Sequence, residues 1–318
     1  MDEGYFPRGS SLLRQVQEER LVGLFYGRRA LMIGALNPVN YTGTSQATGG
    51  RLAPFKRLAR TAHDFETIFF GTRAEADRVL AKVRRMHERV AGALAEPAGP
   101  YAAGTPYAAG DPQLMLWTVA VTADSALCFY ELFVRRLSDW ERDAFWQDWV
   151  RFGELFGMDR TVAPPTYAAF RTWWDAQLAS DAMHLTDQAR YMGRAAAFEI
   201  PLPAVNQPAK RLQDLVMLGT IPARVRELYG LDWTTRHAVA FPAAVALLRG
   251  LQRLAPAQLT RGSNTRSFAL VETTERRRIL HGRPTPQLPP LSAAAVGQAQ
   301  AVAPSATPGS SSVPSARA

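Results

Sequence analysis

The sequence predicts an all-α protein, and three observations support this fold class. Apolar residues recur at steps of three and four along several long segments, typical helix-start and helix-stop residues bracket these segments, and runs of alternating β-branched residues are few. No hairpin dipeptide separates two such runs, and no repeat typical of a solenoid is visible. We therefore expect one domain of about nine to twelve helices.

The first two long helices follow each other directly along the chain. Pro54 opens a helical stretch that ends at Gly71, which fits the preference for proline in a first turn and glycine after a last one. The next helix is predicted from Arg73 to Leu94. Its apolar stripe contains one imidazole and consists of Ala76, Leu80, Val83, His87, Val90 and Leu94. A histidine on such a stripe is either a hydrogen-bonded core residue or a ligand.

The later helices are marked by their ends. Segment Leu114–Val134 is long enough to span a bilayer, but Asp124 and Glu131 interrupt it, so we expect a buried helix in a soluble bundle. Ser138 and Glu141 match a capping box that opens an aromatic-rich helix. The remaining predicted boundaries are a stop near Gly157, a short helix between Pro222 and Gly230, and a long helix over Thr234–Leu254.

The net charge of +9 is concentrated towards the C-terminus. Residues 261–318 carry seven basic and two acidic side chains, a balance of +5, which leaves +4 for the other 260 residues. From Gly282 onward, 22 of 37 residues are Pro, Ser or Ala, so we expect a disordered tail over 282–318 behind a helical domain of residues 1–281. The basic run Arg276–Arg278 lacks interleaved aromatic residues, and no nucleic-acid partner is expected.

Missing motifs disfavour several enzyme classes. The chain has no P-loop, no dinucleotide-binding fingerprint, no HExxH zinc-protease motif and no GxSxG esterase motif. Cys128 is the only cysteine, which excludes an intrachain disulfide and a zinc ribbon. The N-terminal residues do not resemble a secretory signal, so we expect a cytoplasmic protein.

A polar cluster on the helix after Pro54 is the second candidate feature besides the histidine. Arg57, Arg60 and Thr61 place two guanidiniums and a hydroxyl near one face, and Asp64 follows Arg57 by seven residues. The set is either a solvated face with an Arg57–Asp64 ion pair or a donor cluster aimed at an anion or bound oxygen. Asp124 also needs a cationic partner, which an arginine of this cluster would supply.

Nine short segments occur in an order that is specific although each is weak alone. They are residues 57–61 (RLART), 69–73 (FFGTR), 86–92 (MHERVAG), 107–112 (YAAGDP), 116–117 (LW), 124–125 (DS), 137–139 (LSD), 155–157 (LFG) and 221–230 (IPARVRELYG). Together they resemble the MpaB-type and rubber-oxygenase catalytic domain family. The resemblance extends from about Glu18 to Leu254, most of the predicted helical domain.

This resemblance implies a globin-reminiscent helical domain that holds haem b and activates dioxygen. In rubber oxygenases an Arg-x-x-Lys-Thr motif precedes the haem-ligating histidine by roughly one helix, and Arg57, Arg60, Thr61 and then His87 fit that order. His87 thus resembles the iron ligand. The two arginines would either neutralise the haem propionates or steady bound dioxygen, and Thr61 would supply a hydroxyl donor. An apolar wall would suit a small alkene or isoprenoid-like substrate.

The chain departs from the family pattern at several positions. Arg60 replaces the lysine of rubber oxygenases, and Asn37 and Val119 stand where many relatives have histidine. Residues 40–51 contain no carboxylate to act as catalytic base, so polymer cleavage is not expected. The leading hypothesis is a haem-dependent oxygenase for a small apolar metabolite. The alternative is a non-catalytic helical protein that binds an apolar ligand.

Overall fold

The computed structural model describes residues 4–46 and 54–283, and the predicted all-α class is confirmed. Its helices within these residues are α1 (Leu12–Glu18), α2 (Arg20–Gly34), α3 (Pro38–Gln46), α4 (Pro54–Phe70), α5 (Arg73–His87), α6 (Pro112–Phe133), α7 (Asp139–Leu155), α8 (Tyr167–Ala179), α9 (Asp187–Phe198), α10 (Gln207–Thr220), α11 (Ala223–Tyr229), α12 (Thr235–Leu254), α13 (Ala257–Thr260) and α14 (Thr265–Leu280). These fourteen exceed the expected number because short pieces, such as α13 with four residues, form separate helices. The tail predicted from residue 282 lies outside the described residues from position 284 onward.

Most predicted helix ends are confirmed by the structure. α4 begins at Pro54 and is followed directly by Gly71. The Ser138–Glu141 capping box is formed at the start of α7, and each side chain satisfies an open backbone amide of the first turn. α11 ends at Gly230, which adopts a left-handed conformation (φ 61°) that a residue with a side chain rarely adopts.

The helix α6 lies at the centre of the core. α2 packs along it, and α7 and α12 contact its other sides. By length and composition α6 could cross a membrane, but 72% of its apolar window is buried inside the fold. Protein contacts therefore already cover this apolar surface, as the buried-helix prediction requires.

One predicted helix is seven residues too long. α5 stops at His87, and the chain continues into an antiparallel pair of short strands, β1 (Ala91–Ala93) and β2 (Pro106–Ala108). Glycine is required in this pair, because a Cβ on Gly92 would lie 2.7 Å from the hydroxyl of Tyr107. The hairpin was not predicted from the sequence.

The helix was predicted to extend to Leu94 because apolar residues after α5 continue at helical spacing, and these residues are indeed buried. Val90 and Leu94 are 6% and 4% exposed, and Leu94 belongs to a small separate apolar cluster. The other buried members of that cluster are Val39, Ala98 and Tyr107. Burial therefore continues past the end of the helix, but the hairpin produces it.

A buried ion-pair network joins α2, α6 and α8. The Asp124 carboxylate binds Arg29 through one oxygen and Arg171 through the other, each at 2.6 Å. Arg29 also donates to the Ser125 hydroxyl (2.9 Å) and to the carbonyl of Thr220 (3.0 Å). The expectation that the arginine cluster on α4 neutralises Asp124 is therefore wrong. The partners of Asp124 come from α2 and α8, which are distant from it in sequence.

Candidate functional site

The predicted site residues lie on the helical hairpin formed by α4 and α5. Only Gly71 and Thr72 separate the two helices, so they are antiparallel neighbours. Thr72 opens α5 with a capping box in which Glu75 accepts from its backbone amide. Lys82 binds both carboxylate oxygens of Asp64, at 2.8 and 2.7 Å, across the hairpin.

This register brings the start of α4 and the end of α5 to the same end of the hairpin. Arg57, Arg60 and Thr61 precede Asp64, and His87 follows Lys82 by five residues. The predicted Arg57–Asp64 ion pair is not formed, because Lys82 on the facing helix is the partner of Asp64. Residue count along the two helices therefore places all four predicted residues at the hairpin end away from Gly71 and Thr72.

His87 is the last residue of α5 and is half-buried beside aromatic rings. Its imidazole lies 6.4 Å from the Phe156 ring, centroid to centroid. Phe156 in turn contacts Phe152 at 4.9 Å and Phe65 at 6.4 Å. Burial lowers the pKa of His87, and no hydrogen bond from a described residue counteracts this shift. Burial thus favours the neutral form of the imidazole, in which the unprotonated ring nitrogen can serve as a ligand.

The cationic groups near His87 differ in exposure. Arg57 is half-buried and donates to the carbonyl of Thr44 at 3.3 Å. Burial lowers the pKa of this guanidinium, an effect partly offset by the nearby phenol of Tyr41. Arg60 and Thr61 are exposed, and their side chains form no hydrogen bond or ion pair with the described part of the chain. Arg57 is thus the desolvated cation of the cluster, and the other two donors face solvent.

A carboxylate from the far end of the chain fixes the first turn of α4. Glu275 of α14 is fully buried and accepts hydrogen bonds from the backbone amides of Phe55 (3.3 Å) and Lys56 (2.8 Å). These amides have no partner within their own helix, so Glu275 caps α4 from outside. This positioning of the turn that carries Arg57 could not be predicted from local sequence, because 220 residues separate the partners.

The two positions where many relatives carry histidine have structural roles here. Asn37 precedes α3, and its side-chain oxygen accepts a hydrogen bond from the Asn40 amide at 3.0 Å, as a helix cap does. Val119 on α6 is 5% exposed and packs against Gly153 of α7. Neither position provides a second imidazole near His87.

Two open clefts in the described residues lie away from these four side chains. One has a volume of about 420 Å³ and lies beside Arg20 and Arg266, and the other has about 390 Å³ and lies beside Phe198 and His237. Neither is lined by Arg57, Arg60, Thr61 or His87. Within the described ranges there is also no group of three or more His, Cys, Asp or Glu side chains arranged to hold a metal. Any iron held at this hairpin would therefore have fewer than three such side chains as ligands among the described residues.

Comparison with known families gives one match. A family model described as "ER-bound oxygenase mpaB/B'/Rubber oxygenase, catalytic domain" matches residues 14–250, which include all four predicted site residues. No curated protein and no solved structure matches significantly. The match covers more than half of the chain and runs from α1 to α12.

Proposed function

Because the chain belongs to the MpaB/rubber oxygenase catalytic-domain family and thus carries an oxygenase-type domain, we propose that it is a haem b-dependent oxygenase acting on a small apolar, alkene or isoprenoid-like metabolite. The observation that carries this proposal is the half-buried imidazole of His87, which lies beside the Phe156 ring and at the same hairpin end as Arg57 and Arg60. Dioxygen is the second substrate that the family implies.

The donor chemistry of the hairpin end fits haem b. A neutral imidazole at the end of a capped helix is a suitable single protein ligand for haem iron. The two guanidiniums of Arg57 and Arg60 match in number and charge the two propionates of a haem. Thr61 adds a hydroxyl that is free to donate, since it has no partner among the described residues.

Bound haem would supply the one-electron and oxygen chemistry that amino-acid side chains lack. The chain's own residues would then position the reaction. His87 would hold the iron from one side, and the ring of Phe156 beside it would keep water from the imidazole. The partly exposed rings of Phe65 and Phe156, which both contact the buried Phe152, would provide apolar contacts for an alkene.

The absorption spectrum tests the ligand assignment. The protein is produced with haem supplied, and haem per chain is measured together with the Soret band. We expect one haem per chain in the wild type and loss of most of the band in His87→Ala. The matched control is His63→Ala, which removes an exposed histidine from α4 and should leave the band unchanged. A wild type without a Soret band, or equal bands in both variants, would refute the assignment.

Oxygen uptake separates this proposal from the alternative of a non-catalytic binding protein. The specific observation behind the alternative is that Asn37 and Val119 serve as a helix cap and a packing residue, respectively, and not as histidines. Isoprenoid alkenes are added to the haem-loaded protein, and oxygen consumption and thermal stability are recorded. Consumption of oxygen supports an oxygenase, whereas stabilisation without consumption supports a binding protein.

A further inference from the structure

The solvent-facing side of α12 is apolar along nearly its whole length. At 100° per residue, its exposed apolar positions fall within one arc of the helix surface, next to the arc that holds the buried Ala244 and Leu248. The large ones are strongly exposed: Val239 by 73%, Leu247 by 53% and Leu251 by 54%. We call this surface the α12 face; its members are Val239, Ala240, Ala243, Ala246, Leu247, Leu251 and Leu254. An apolar stripe of this length is unusual on a surface without a partner.

An arginine lies at each end of the α12 face. Arg236 and Arg253 are exposed and project to the same side as the apolar stripe. Within the described residues neither forms a hydrogen bond or an ion pair, whereas Arg249 is occupied by the carbonyls of Glu131 and Leu132. The two free guanidiniums are about 26 Å apart along the helix axis.

The α12 face carries no acidic side chain, and the nearest acidic residues in the sequence, Asp232 and Glu272, lie outside α12. Residues 233–271 include five arginines and not one aspartate or glutamate. Of the five, Arg261 is paired with the buried Glu19 at 2.8 Å, but that carboxylate is only 3% exposed and lies away from the surface. Any partner of the α12 face therefore has to supply both an apolar layer and negative charge.

This requirement distinguishes between the candidate partners. If two copies of the chain paired through this face, Arg236 and Arg253 would meet other arginines whether the helices ran parallel or antiparallel, and like charges repel. The chain's own residues 284–318 contain no acidic residue either. A lipid surface with anionic headgroups provides hydrocarbon for the apolar side chains and phosphate for the two arginines.

We propose that the α12 face docks on an anionic lipid surface. The helix lies in the plane of the membrane, its leucines and Val239 enter the interface, and Arg236 and Arg253 bind lipid phosphates. Both arginines can keep their guanidinium groups at the headgroup level while the apolar side chains enter the interface, because an arginine side chain is long and flexible.

The test is co-sedimentation of the full chain with vesicles. Vesicles of phosphatidylcholine alone are compared with vesicles that also contain phosphatidylglycerol. We expect binding to the anionic vesicles that weakens at least about tenfold in Leu247→Asp/Leu251→Asp, because two exposed apolar side chains no longer enter the interface. Arg236→Gln/Arg253→Gln is expected to weaken binding to the anionic vesicles about tenfold. All these side chains are exposed, and thermal unfolding verifies that the variants fold.

Two controls decide whether the α12 face is responsible. Val205→Asp alters a side chain that is 85% exposed in a different part of the fold and should bind like the wild type. Leu288→Asp/Leu291→Asp should also leave binding unchanged, and a loss equal to that of the α12 variants would overturn the proposal. Absence of vesicle binding, equal loss in Val205→Asp, or a stable dimer that the α12 variants dissociate would each overturn the proposal.

Discussion

The imidazole of His87 illustrates how burial can prepare a single side chain as a ligand. Burial lowers its pKa, so the imidazole binds its second proton less tightly in the folded chain than in the unfolded chain. In the unfolded chain the group titrates near the ordinary histidine value of about 6.5. The contribution of His87 to folding stability is therefore present above that pH and is lost as the pH falls.

A pH series of the haem-free protein tests this environment. We expect the melting temperature of the wild type to fall more steeply between about pH 7 and pH 5 than that of His87→Leu, because the leucine has no proton to bind. His63→Leu, which alters an exposed histidine, should follow the wild-type slope. Parallel slopes for the wild type and His87→Leu would show that His87 titrates normally.

The positions of residues along the helices were predictable, but their side-chain partners were not. Helical spacing puts Arg57, Arg60 and Thr61 near one another, yet the predicted partner of Arg57, Asp64, pairs with Lys82. The bond from Arg29 to Asp124 spans 95 residues. Such a pair depends on how helices pack in three dimensions, and that packing leaves no periodic signal in the sequence.

At the level of helices, the contact between α6 and α7 depends on a missing side chain. A Cβ on Gly153 would lie 2.6 Å from the Met158 methyl and 3.0 Å from a Val119 methyl. The two helices therefore approach closely because position 153 has no side chain. This contact also explains valine at position 119, where a histidine would have to fit the same narrow space.

Replacement of Gly153 by alanine should distinguish the cost of overpacking from the gain in helix propensity. We expect Gly153→Ala to lower the free energy of unfolding by about 1–3 kcal/mol, because the added methyl overpacks the contact. Val119→Ala in the same chain should recover only the part of that loss that comes from the Val119 contact, because the closer Met158 methyl stays in place; a double-mutant cycle measured by urea unfolding gives the size of this coupling.

The matched control is a glycine in the interior of α12. A Cβ on Gly250 meets no atom within 4 Å, so Gly250→Ala should be neutral or should stabilise by up to about 1 kcal/mol. If Gly153→Ala were equally harmless, the close approach of α6 and α7 would not depend on Gly153.

Helix ends were predicted better than helix extents for a physical reason. Caps such as Ser138 with Glu141 satisfy backbone groups locally and therefore carry a sequence signature. The end of α5 has no such signature, because the hairpin that follows keeps Val90 and Leu94 buried. Apolar residues at helical spacing are buried there although the backbone is no longer helical, so the spacing does not locate the end of the helix.

For the molecule as a whole, positively charged side chains occur in two distinct places. Arg57 and Arg60 lie at the same hairpin end as His87, while residues 233–271 carry five arginines and no acidic residue, with the α12 face at their surface. The all-α class and the family follow from sequence patterns. The exposed apolar side of α12 does not, because an apolar stripe on a helix ordinarily predicts a buried face.

Rescue of the variant that lacks the His87 side chain by free imidazole tests the central claim, haem ligation by His87, most directly. In His87→Gly supplied with haem, we predict a Soret band that is weak without imidazole and returns to the wild-type position and intensity as imidazole is titrated in. His63→Gly should show the full band throughout. A wild-type band in His87→Gly that does not respond to imidazole would contradict the assignment of His87 as the iron ligand.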